Sequence, residues 1–383
     1  MRLIFLVDDV LPHINQCASV TNAKNSISIL QNLLIESNSG KDGLPLILIT
    51  GSDNETWLQT NACVESFDEN FSICVNANDF NKALSNLKGK RIEMDIDTEK
   101  HIIKCCHDNG HFQLPCFDSE EYPRPIDVCN EQDIVSKKIS SSSLLLALNK
   151  VSFATANDEL RPVMNGIHFD FKDYGLVIVA SDGRVLAKNT DTTIKSDNSE
   201  IYGFNLPKKP SVILHNILNG DEKEVNLYFN ERVVAFSNDD DFKITTRLIE
   251  GRYPNYDSVI PTDNTLIATF RRNDFISALK RVLPMSNTSS NMVSVLFANQ
   301  KITISAIDID FSKSASETIN CDYDNNEIKI GFNGINLLSV LQTIDDIDVN
   351  VQMKEPNRAC IFTRACDDEK TQYISLLMPM RID

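Results

Sequence analysis

The strongest constraint on the fold is a pattern that occurs three times along the chain. Residues 160–189 read LRPVMNGIHFDFKDYGLVIVASDGRVLAKN, in which two strand-like runs flank a polar turn and an Asp-Gly turn precedes a third apolar run. Similar arrangements occur around LPLILITGSDNETWLQTN near the start and KITISAIDIDFSKSASETI near the end, with Asp53, Asp182 and Asp308 aligned. The recurrence predicts three copies of one domain-sized unit.

Each unit also contains two polar starts that lead into apolar residues at helical spacing. One set is VDDVLPHINQ, SSSLLLALNK and RNDFISALKR, and the other is ANDFNKALSNL, PKKPSVILHNIL and FNGINLLSVLQ. Asn, Asp and Ser favour helix starts because their side chains accept the first unpaired backbone N–H groups. Phe80, Leu84 and Leu87 fall at i, i+4 and i+7, which predicts one buried face. We therefore predict an α+β fold with two short helices packed on antiparallel sheets in each unit.

Two similar closing segments define the predicted domain boundaries. GHFQLPCFDSEEYPRP ends the first unit and DFKITTRLIEGRYPNYDSVIP ends the second, so that Tyr122-Pro123 matches Tyr253-Pro254. A chain of 383 residues suits two or three domains at roughly 150 residues each, and the repeat selects three. The predicted domains are residues 1–132, 133–261 and 262–383.

The composition is that of an ordinary soluble globular chain, with 42% hydrophobic and 24% charged residues. No apolar run approaches the roughly 20 residues that a membrane helix needs. Asp8 and Asp9 directly follow the apolar start, which is the wrong flank for a signal peptide. We therefore expect a cytoplasmic protein without membrane contact, whose ten cysteines are free thiols.

One group of side chains raises the question of a metal site, namely Cys105, Cys106, His107, His111 and Cys116. The alternative is a β-hairpin, because an Asp-Asn-Gly turn separates HIIKCCH from HFQLPCF. Strand alternation would then place Cys105 and Cys106 on opposite faces of the sheet. The hairpin is the preferred interpretation, and we expect neither a metal nor a cofactor.

The net charge of −17 argues against a protein that grips nucleic acid over its whole surface. Basic residues nevertheless concentrate on or beside the predicted helices, whereas acidic runs at residues 120–121, 221–222, 239–241 and 367–369 fall in predicted loops. A single lysine of this kind is most simply a solvated residue on a helix surface. Together, these residues predict one specialised basic surface on an acidic body.

Four segments closely resemble the bacterial sliding clamp, the β subunit of DNA polymerase III: RPVMNGIHFDF, LVIVASDGRVLA, EGRYPNYDSVIP and the terminal LLMPMRI. They occur in the family's order, and the resemblance extends from end to end. It implies a non-catalytic processivity factor of the polymerase holoenzyme. In this family two subunits join head to tail into a ring, with helices lining the central hole and sheets outside.

The ring implied by the resemblance would encircle duplex DNA without reading its bases. Duplex DNA carries one charge per about 1.7 Å of axis, so basic side chains can hold the backbone and still allow sliding. The residues expected to face the DNA are Lys24, Lys82, Lys88, Lys150, Lys208, Lys209, Arg271, Arg272, Lys280 and Arg281.

The resemblance also implies an apolar pocket between the second and third units that receives a short extended peptide. The proteins that supply this peptide would be the DNA polymerase III alpha subunit, the clamp loader delta subunit and other proteins with a clamp-binding motif. Flexible methionines suit a site that accepts several partners. The family usually has Asp-Gly-His-Arg-Leu where this chain has DGRVL, so Val185 replaces the usual arginine. The matching positions are Met164, Ser181, Gly183, Arg184, Val185, Leu186, Pro254, Val259, Leu376, Met378, Pro379 and Met380.

For the homodimer, the resemblance implies that an edge of the first unit meets the region of the first helix of the third unit across the subunit boundary. This implicates Phe112 and Leu114, which would face Leu283 and Met285 of the other subunit. Apolar residues of this kind are typical of obligate interfaces.

Two other classes of function remain open. Asp308 and Asp310 could ligate two metal ions for phosphoryl transfer, although aspartates in equivalent places of three repeats cannot converge on one site. A repeat scaffold that binds only proteins is the other alternative. Metal-dependent turnover of DNA would identify the enzyme, and closure around DNA would separate the clamp from the scaffold.

Overall fold

Three repeats with the same order of elements make up the chain. The computed structural model describes residues 1–383 except 23, 41–42, 196–201, 219–222, 239–240, 367–369 and 383. Over these residues each repeat runs strand, helix, four strands, helix and three strands, and the first has one additional two-residue strand. Three α+β domains with two helices each are therefore confirmed. Of the acidic runs, residues 221–222, 239–240 and 367–369 lie outside the described residues.

The element bounds follow in chain order. The first repeat comprises β1 Arg2–Leu6, α1 Val7–Ala18, β2 Asn32–Ser39, β3 Pro45–Ser52, β4 Thr56–Cys63, β5 Ser66–Phe67, β6 Ser72–Asn76, α2 Ala77–Ser85, β7 Arg91–Asp97, β8 Ile102–His107 and β9 Gly110–Asp118. The second comprises β10 Val135–Ser140, α3 Ser141–Val151, β11 Gly166–Lys172, β12 Gly175–Ser181, β13 Val185–Asp191, β14 Tyr202–Pro207, α4 Lys208–Leu218, β15 Glu224–Phe229, β16 Val233–Asn238 and β17 Phe242–Arg247. The third comprises β18 Leu266–Arg271, α5 Arg272–Val282, β19 Met292–Ala298, β20 Lys301–Asp308, β21 Lys313–Asn320, β22 Ile328–Asn333, α6 Gly334–Thr343, β23 Asp348–Met353, β24 Cys360–Arg364 and β25 Thr371–Leu377.

The helices form where the sequence predicted them; α2 and α6 begin with the predicted side-chain cap, whereas α1 and α5 have none. The Asn76 side chain accepts the N–H of Asp79 at 3.1 Å and caps α2, and Asn333 caps α6 in the same way. Phe80 and Leu84 are buried on one face of α2. Each helix thus contributes an apolar stripe to a core whose other side is a sheet.

The chain divides into two compact units, and the division cuts the second repeat. The first unit holds Met1–Ser142 with Val212–Leu248 and contains a 13-stranded sheet of order β10-β15-β16-β17-β4-β3-β2-β6-β9-β8-β7-β1-β5. The second holds Ser143–Ser211 with Ile249–Asp383. It contains an eight-stranded sheet, β14-β11-β12-β13-β25-β24-β23-β18, and a four-stranded sheet, β21-β20-β19-β22.

The large sheets arise because neighbouring repeats share strand pairing. β4 pairs antiparallel with β17, and β13 pairs antiparallel with β25. In both cases the third strand after the first helix of one repeat pairs with the last strand of the next repeat. Backbone hydrogen bonds therefore join the repeats.

The aligned aspartates Asp53 and Asp182 have the same role in their repeats. The Oδ1 atom of Asp53 accepts the backbone N–H groups two and three residues later at 3.1 and 2.8 Å, and that of Asp182 does so at 2.7 Å for both. The residue after each aspartate has a positive φ, +78° at Asn54 and +87° at Gly183, which these residue types tolerate best. The predicted equivalence of these two positions is correct.

The third aspartate, Asp308, lies at the equivalent strand connection, but its local role differs. Asp308 is only 1% exposed at the end of β20, and within the described residues its carboxylate accepts no hydrogen bond. The turn that follows exposes Ile309 and Phe311 instead. Tertiary packing at the strand end, rather than turn chemistry, therefore decides the local structure here.

The cysteine and histidine segment forms the predicted hairpin. β8 and β9 pair antiparallel, with Cys105 opposite Phe112. Cys105 is buried and Cys106 is half-buried, as strand alternation requires. Among the described residues, no three His, Cys, Asp or Glu side chains are grouped so that they could hold a metal ion.

Candidate functional site

Many of the residues predicted for the peptide site lie where β13 meets β25 in the second compact unit, and we refer to this surface as the groove. Leu186 lies opposite Leu376 in this antiparallel pair, and the N–H of Met378 donates to the carbonyl of Arg184 at 2.8 Å. The chain end therefore lies beside the turn between β12 and β13. Residues almost two hundred positions apart in sequence are held together by backbone hydrogen bonds.

The floor of the groove is a buried apolar cluster. Leu186 and Leu376 pack with Tyr253 and Tyr256, and half-buried Ile260 lies against them. Burial raises the pKa of Tyr253 to about 12, so its phenol is neutral at physiological pH. This floor is apolar and closely packed, which suits an apolar anchor from a binding partner.

The predicted pocket residues fall into three groups by exposure. The buried ones are Met164, Val185, Leu186 and Leu376, of which Leu186 and Leu376 belong to the floor cluster. Those half-buried are Ser181, Pro379 and Met380. Those exposed along the rim are Gly183, Arg184, Pro254, Val259 and Met378.

Val185 stands where the family usually has an arginine, and it does not form part of the rim. Its side chain is only 3% exposed, and its backbone N–H donates to Asp182. In this chain the position belongs to the core beneath the groove.

The turn at the rim is held rigidly by its own side chains. The hydroxyl of Ser181 donates to the carbonyl of Val185 at 2.8 Å and accepts the N–H of Gly183 at 3.1 Å. Gly183 needs its positive φ to complete this turn. The rim is therefore preformed rather than ordered by a ligand.

The chain end is anchored to the third repeat on its other side. The N–H of Met380 donates to the carbonyl of Gly331 at 2.7 Å. A Cβ atom on Gly331 would lie 2.6 Å from the carbonyl oxygen of Met380, so only glycine permits this approach. Residues 378–380 thus cross from β25 to β22 with fixed geometry.

Arg161 is a rim residue that the sequence reasoning missed. Its Nε donates to Asp158 at 2.9 Å, and a Cβ atom built on Gly183 would lie 3.3 Å from its Nη1. The guanidinium therefore lies against the Asp-Gly turn, beside exposed Arg184. The only sequence signal was its place at the head of the RPVMNG motif.

The equivalent location in the first repeat is filled by a side chain. Trp57 occupies the position that Leu186 holds in the second repeat, is 2% exposed, and donates from its indole Nε1 to the carbonyl of Pro123 at 3.0 Å. Pro123 corresponds to Pro254. A buried indole thus stands in the first repeat where the second repeat has the smaller Leu186.

Most of the residues predicted to face DNA are exposed cations. The exposed members are Lys24, Lys82, Lys88, Lys208, Lys209, Arg271, Lys280 and Arg281. Arg281 is engaged by Glu317, with its Nε 2.8 Å from the carboxylate. Arg272 is half-buried and donates from its guanidinium to the carbonyl of Ile344 at the end of α6. These two arginines therefore hold the third repeat together.

The prediction that Lys150 faces DNA is wrong, because Lys150 is not a surface residue. It is 2% exposed, lies 3.2 Å from the carboxylate of Asp345, and sits 5.2 Å from the ring centroid of Tyr373. Burial by itself would raise the pKa of Asp345, but hydrogen bonds from Arg364 and Lys150 outweigh it and hold that pKa below its usual value. Lys150 therefore joins α3 to the third repeat rather than facing DNA.

We expect Lys150→Met to lower stability without weakening DNA retention. The substitution keeps the apolar stem and removes the charge-assisted contact, which costs about 1–3 kcal/mol because Asp345 retains Arg364. Urea unfolding measures the stability. Lys82→Met, at an exposed position, is the matched control and should leave the unfolding midpoint unchanged. Equal midpoints for the two variants would contradict the structural role of Lys150.

Two of the four residues predicted for the subunit interface, Phe112 and Leu114, lie at an open sheet edge. Within the described chain, residues 110–115 of β9 pair only with β8, so their other side has no strand partner. Phe112 and Leu114 are half-buried there. Met285 is 37% exposed. Leu283 is half-buried against α6, since a Cβ on Gly334 would lie 2.6 Å from its Cδ1.

The alternative of a two-metal enzyme finds no site in the described chain. Asp308 is buried whereas Asp310 is exposed, so the two carboxylates do not share one surface. The described residues contain no helix with the length and apolarity to cross a membrane.

Comparison with known proteins agrees with this architecture along the whole chain. Residues 1–126 match the N-terminal domain of the DNA polymerase III beta subunit, residues 138–255 its central domain and residues 257–381 its C-terminal domain. The beta sliding clamp of Haemophilus influenzae is 24% identical over 98% of each chain. That of Treponema pallidum is 26% identical over 100% of each chain.

Solved structures show the same fold. The DNA polymerase III beta subunit of Pseudomonas aeruginosa superposes with a TM-score of 0.89 at 21% identity, and the griselimycin-bound sliding clamp of Bartonella birtlesii with 0.90 at 23%, each over 100% of both chains. Three clamp domains with paired strands at their joins define a DNA-clamp protein. The chain belongs to the family of the DNA polymerase III beta subunit, the beta sliding clamp, a non-catalytic processivity factor of the polymerase holoenzyme.

Proposed function

We propose that two copies of this chain join head to tail into a ring that encircles duplex DNA. The ring tethers the replicative polymerase and other clamp-binding proteins in the cytoplasm. We retain residues 1–132, 133–261 and 262–383 as the limits of its domains. The observation that carries the proposal is the pattern of strand pairing between repeats.

Both strand pairings between neighbouring repeats use equivalent strands. The third possible pair of equivalent strands is not formed within the described chain. β4 pairs with β17 and β13 with β25, so the same rule would pair β21 with β9. In the described chain, β21 pairs only with β20, and residues 110–115 of β9 pair only with β8. A second copy supplies each missing partner, which closes a symmetric ring of six domains.

The two edges also match in chemistry. Phe112 and Leu114 lie opposite buried Cys105 and Ile103, so they extend the core face of their sheet to an open edge. Ile319 does the same in β21, where it lies opposite buried Ile302. Pairing the edges would cover both apolar rows. We propose that Met285, exposed beside β21, completes the interface.

The helix surface supplies the contact with DNA. Without buried Lys150 and half-buried Arg272, the six α-helices expose five Lys or Arg against four Asp or Glu, whereas the whole chain has 37 against 54. The helices are thus net basic in an acidic protein. We propose that the exposed cations, from Lys82 in α2 to Lys280 in α5, contact the phosphate backbone, which permits sliding because backbone contacts carry no sequence information.

The groove supplies the contact with partners. Its apolar floor and methionine-rich chain end suit a short peptide with one or two large apolar anchors. The proposed donors are the polymerase III alpha subunit, the clamp loader delta subunit and other clamp-binding proteins. We propose that Arg161 and Arg184 provide the cationic rim in place of the arginine that Val185 replaces. Griselimycin, bound by related clamps, serves as a probe of this groove.

Retention on circular DNA tests encirclement. The protein is loaded onto gapped circular DNA with its clamp loader and gel-filtered in 0.1 and 0.5 M salt. Screening weakens backbone contacts steeply, but a closed ring stays threaded, so we expect about tenfold or greater retention on circles than on linear DNA of the same sequence in 0.5 M salt.

Cutting the loaded circle with a restriction enzyme provides the internal control. Release after cutting, in the same buffer, would come from the topological change alone. Equal loss from circular and linear DNA would refute encirclement.

A further inference from the structure

The segment of residues 249–261 joins the second and third repeats and crosses one face of the eight-stranded sheet; we refer to it as the strap. On β11, His168, Asp170 and Lys172 point to this face because they alternate along one strand. These three polar side chains contact the strap rather than solvent. The strap covers this face of the sheet and also lines the groove. The contacts between this face and the strap can therefore determine the shape of the groove.

The first half of the strap is fixed by Asn205 and His168. The Asn205 side-chain amide donates to the carbonyls of Ile249 and Gly251 at 3.2 and 2.8 Å. Its Oδ1 is therefore left to accept from Nδ1 of His168 at 2.8 Å, which fixes that ring as the Nδ1–H tautomer. The His168 ring stacks on Tyr253 at a centroid distance of 4.7 Å and an interplanar angle of 5°.

The second half is fixed by a buried carboxylate. The hydroxyl of Tyr256 donates to Asp170 at 2.7 Å, and Lys172 approaches the same oxygen at 3.1 Å. Asp170 is 5% exposed and Tyr256 is 6% exposed. Lys188 pairs with Asp257 of the strap at 2.7 Å. Both lysines also lie over the Tyr256 ring, 5.5 and 5.3 Å from its centroid.

The charges of this network balance. Two lysines face two aspartates, and burial lowers the pKa of His168 so that the ring is neutral at physiological pH. The groups that face the His168 ring are Asp170 and Lys172 from β11, Asn205 from β14 and the tyrosines of the strap. A neutral, hydrogen-bonded network holds the strap in one position, because removing any partner leaves a buried polar group unpaired.

The same strap forms one wall of the groove. Tyr253 and Tyr256 pack in the cluster with Leu186 and Leu376 on the floor, while Pro254 between them and Val259 beyond them are exposed on the rim. Val259 is tied to Tyr256, because its backbone N–H donates to the Tyr256 carbonyl at 3.4 Å. The contacts that fix Tyr253 and Tyr256 therefore also position the exposed residues of this wall.

We propose that His168, Asp170 and Tyr256 are positioning residues for peptide binding, which hold the strap so that Pro254 and Val259 match a bound apolar anchor. This inference rests on the proposed peptide-binding function of the groove. It extends that function to His168 and Asp170, which lie outside the floor cluster, and to the hydroxyl of Tyr256, whose ring belongs to that cluster. A shift of about 1 Å in one wall of a preformed groove costs contacts with the anchor that carries most of the affinity.

The experiment measures the affinity of the full-length dimer for griselimycin, and for a synthetic peptide copying the tail of the polymerase alpha subunit, by calorimetry. Tyr256→Phe removes one hydroxyl and keeps the ring. We expect about a tenfold loss of affinity, equivalent to 1.4 kcal/mol. The matched control is Tyr323→Phe, which removes another buried tyrosine hydroxyl, bonded to the Asn326 carbonyl at 2.6 Å, away from the strap.

Two further variants separate positioning from general stability. Asp170→Asn keeps an acceptor for the Tyr256 hydroxyl and should retain most of the affinity, whereas Asp170→Ala should lose it. Thermal unfolding of all four variants identifies any that fail to fold. Tyr323→Phe should lose thermal stability comparable to Tyr256→Phe yet bind like the wild type.

The outcomes distinguish the two proposals. If the wild type binds neither ligand, the groove is not a peptide site, and the positioning role is refuted with it. If the wild type binds and folded Tyr256→Phe and Asp170→Ala bind equally well, the groove stands and the positioning role alone is refuted. Loss in these two variants with retention in Asp170→Asn and Tyr323→Phe supports it.

Discussion

Replacing Phe112 by Glu should leave the protein as a monomer of 43.0 kDa in micromolar solution. Phe112 is half-buried at the open edge of β9, which the proposed ring would cover with β21 of a second copy. A carboxylate there would be buried without a partner. We expect the dissociation constant of the dimer to rise about 100-fold or more, equivalent to 2.7 kcal/mol. Analytical ultracentrifugation across a concentration series measures it.

His111→Glu is the matched control, because it places the same charge one residue earlier on the opposite, exposed side of β9. It should remain dimeric. A dimeric Phe112→Glu would contradict the pairing of β9 with β21. Leu283 is a poorer position for testing the dimer than the sequence suggested, because it packs inside its own repeat against Gly334. Its substitution would affect folding as well as dimer assembly.

The repeat and its helices could be predicted because local rules decide them. The apolar spacing of Phe80 and Leu84 and the caps at Asn76 and Asn333 are short-range features, and the structure has them as predicted. The Asp-Gly turn beside the groove is also a local feature, and the equivalent turn at Asp53 has the same pattern of hydrogen bonds. Such features depend on residues within a few positions of one another.

The remaining features could not be predicted because distant segments decide them. Lys150 reads as a solvated residue near the end of a helix, but Asp345 and Tyr373 of the third repeat cover it. The strand pattern places His168 and Asp170 on one face, yet nothing in it says that the strap covers that face. Arg161 reaches the rim only because the turn around Gly183 folds back towards it.

At Val185 the chain departs from the pattern of the family it resembles. Val185 is buried, whereas Arg161 and Arg184 are exposed beside the groove. In the proposed site, positive charge at the rim therefore comes from Arg161, before β11, and from Arg184, in the same turn as Val185. A partner peptide that binds through negative charge would contact Arg161 and Arg184 in this chain.

The chain end provides the most direct test of the groove. β25 extends to Leu377, which is 1% exposed and pairs with Val185, so a truncation must begin after it to spare the sheet. Removing residues 378–383 deletes Met378, Pro379 and Met380 from the rim. It also removes two backbone hydrogen bonds, from Met378 to Arg184 and from Met380 to Gly331, which together cost about 2 kcal/mol of stability.

We expect this truncation to weaken binding of the alpha-subunit tail peptide at least 100-fold, or about 2.7 kcal/mol, while the dimer stays intact. The loss should be large because a few apolar anchors carry most of the energy of such a site, and the deleted residues form one wall of their groove. Removing only residues 381–383 is the matched control, since it keeps all three rim residues and should bind like the full chain. Calorimetric titration compares the three proteins, and sedimentation checks the dimer. Full affinity in the longer truncation would locate the peptide site elsewhere on the molecule.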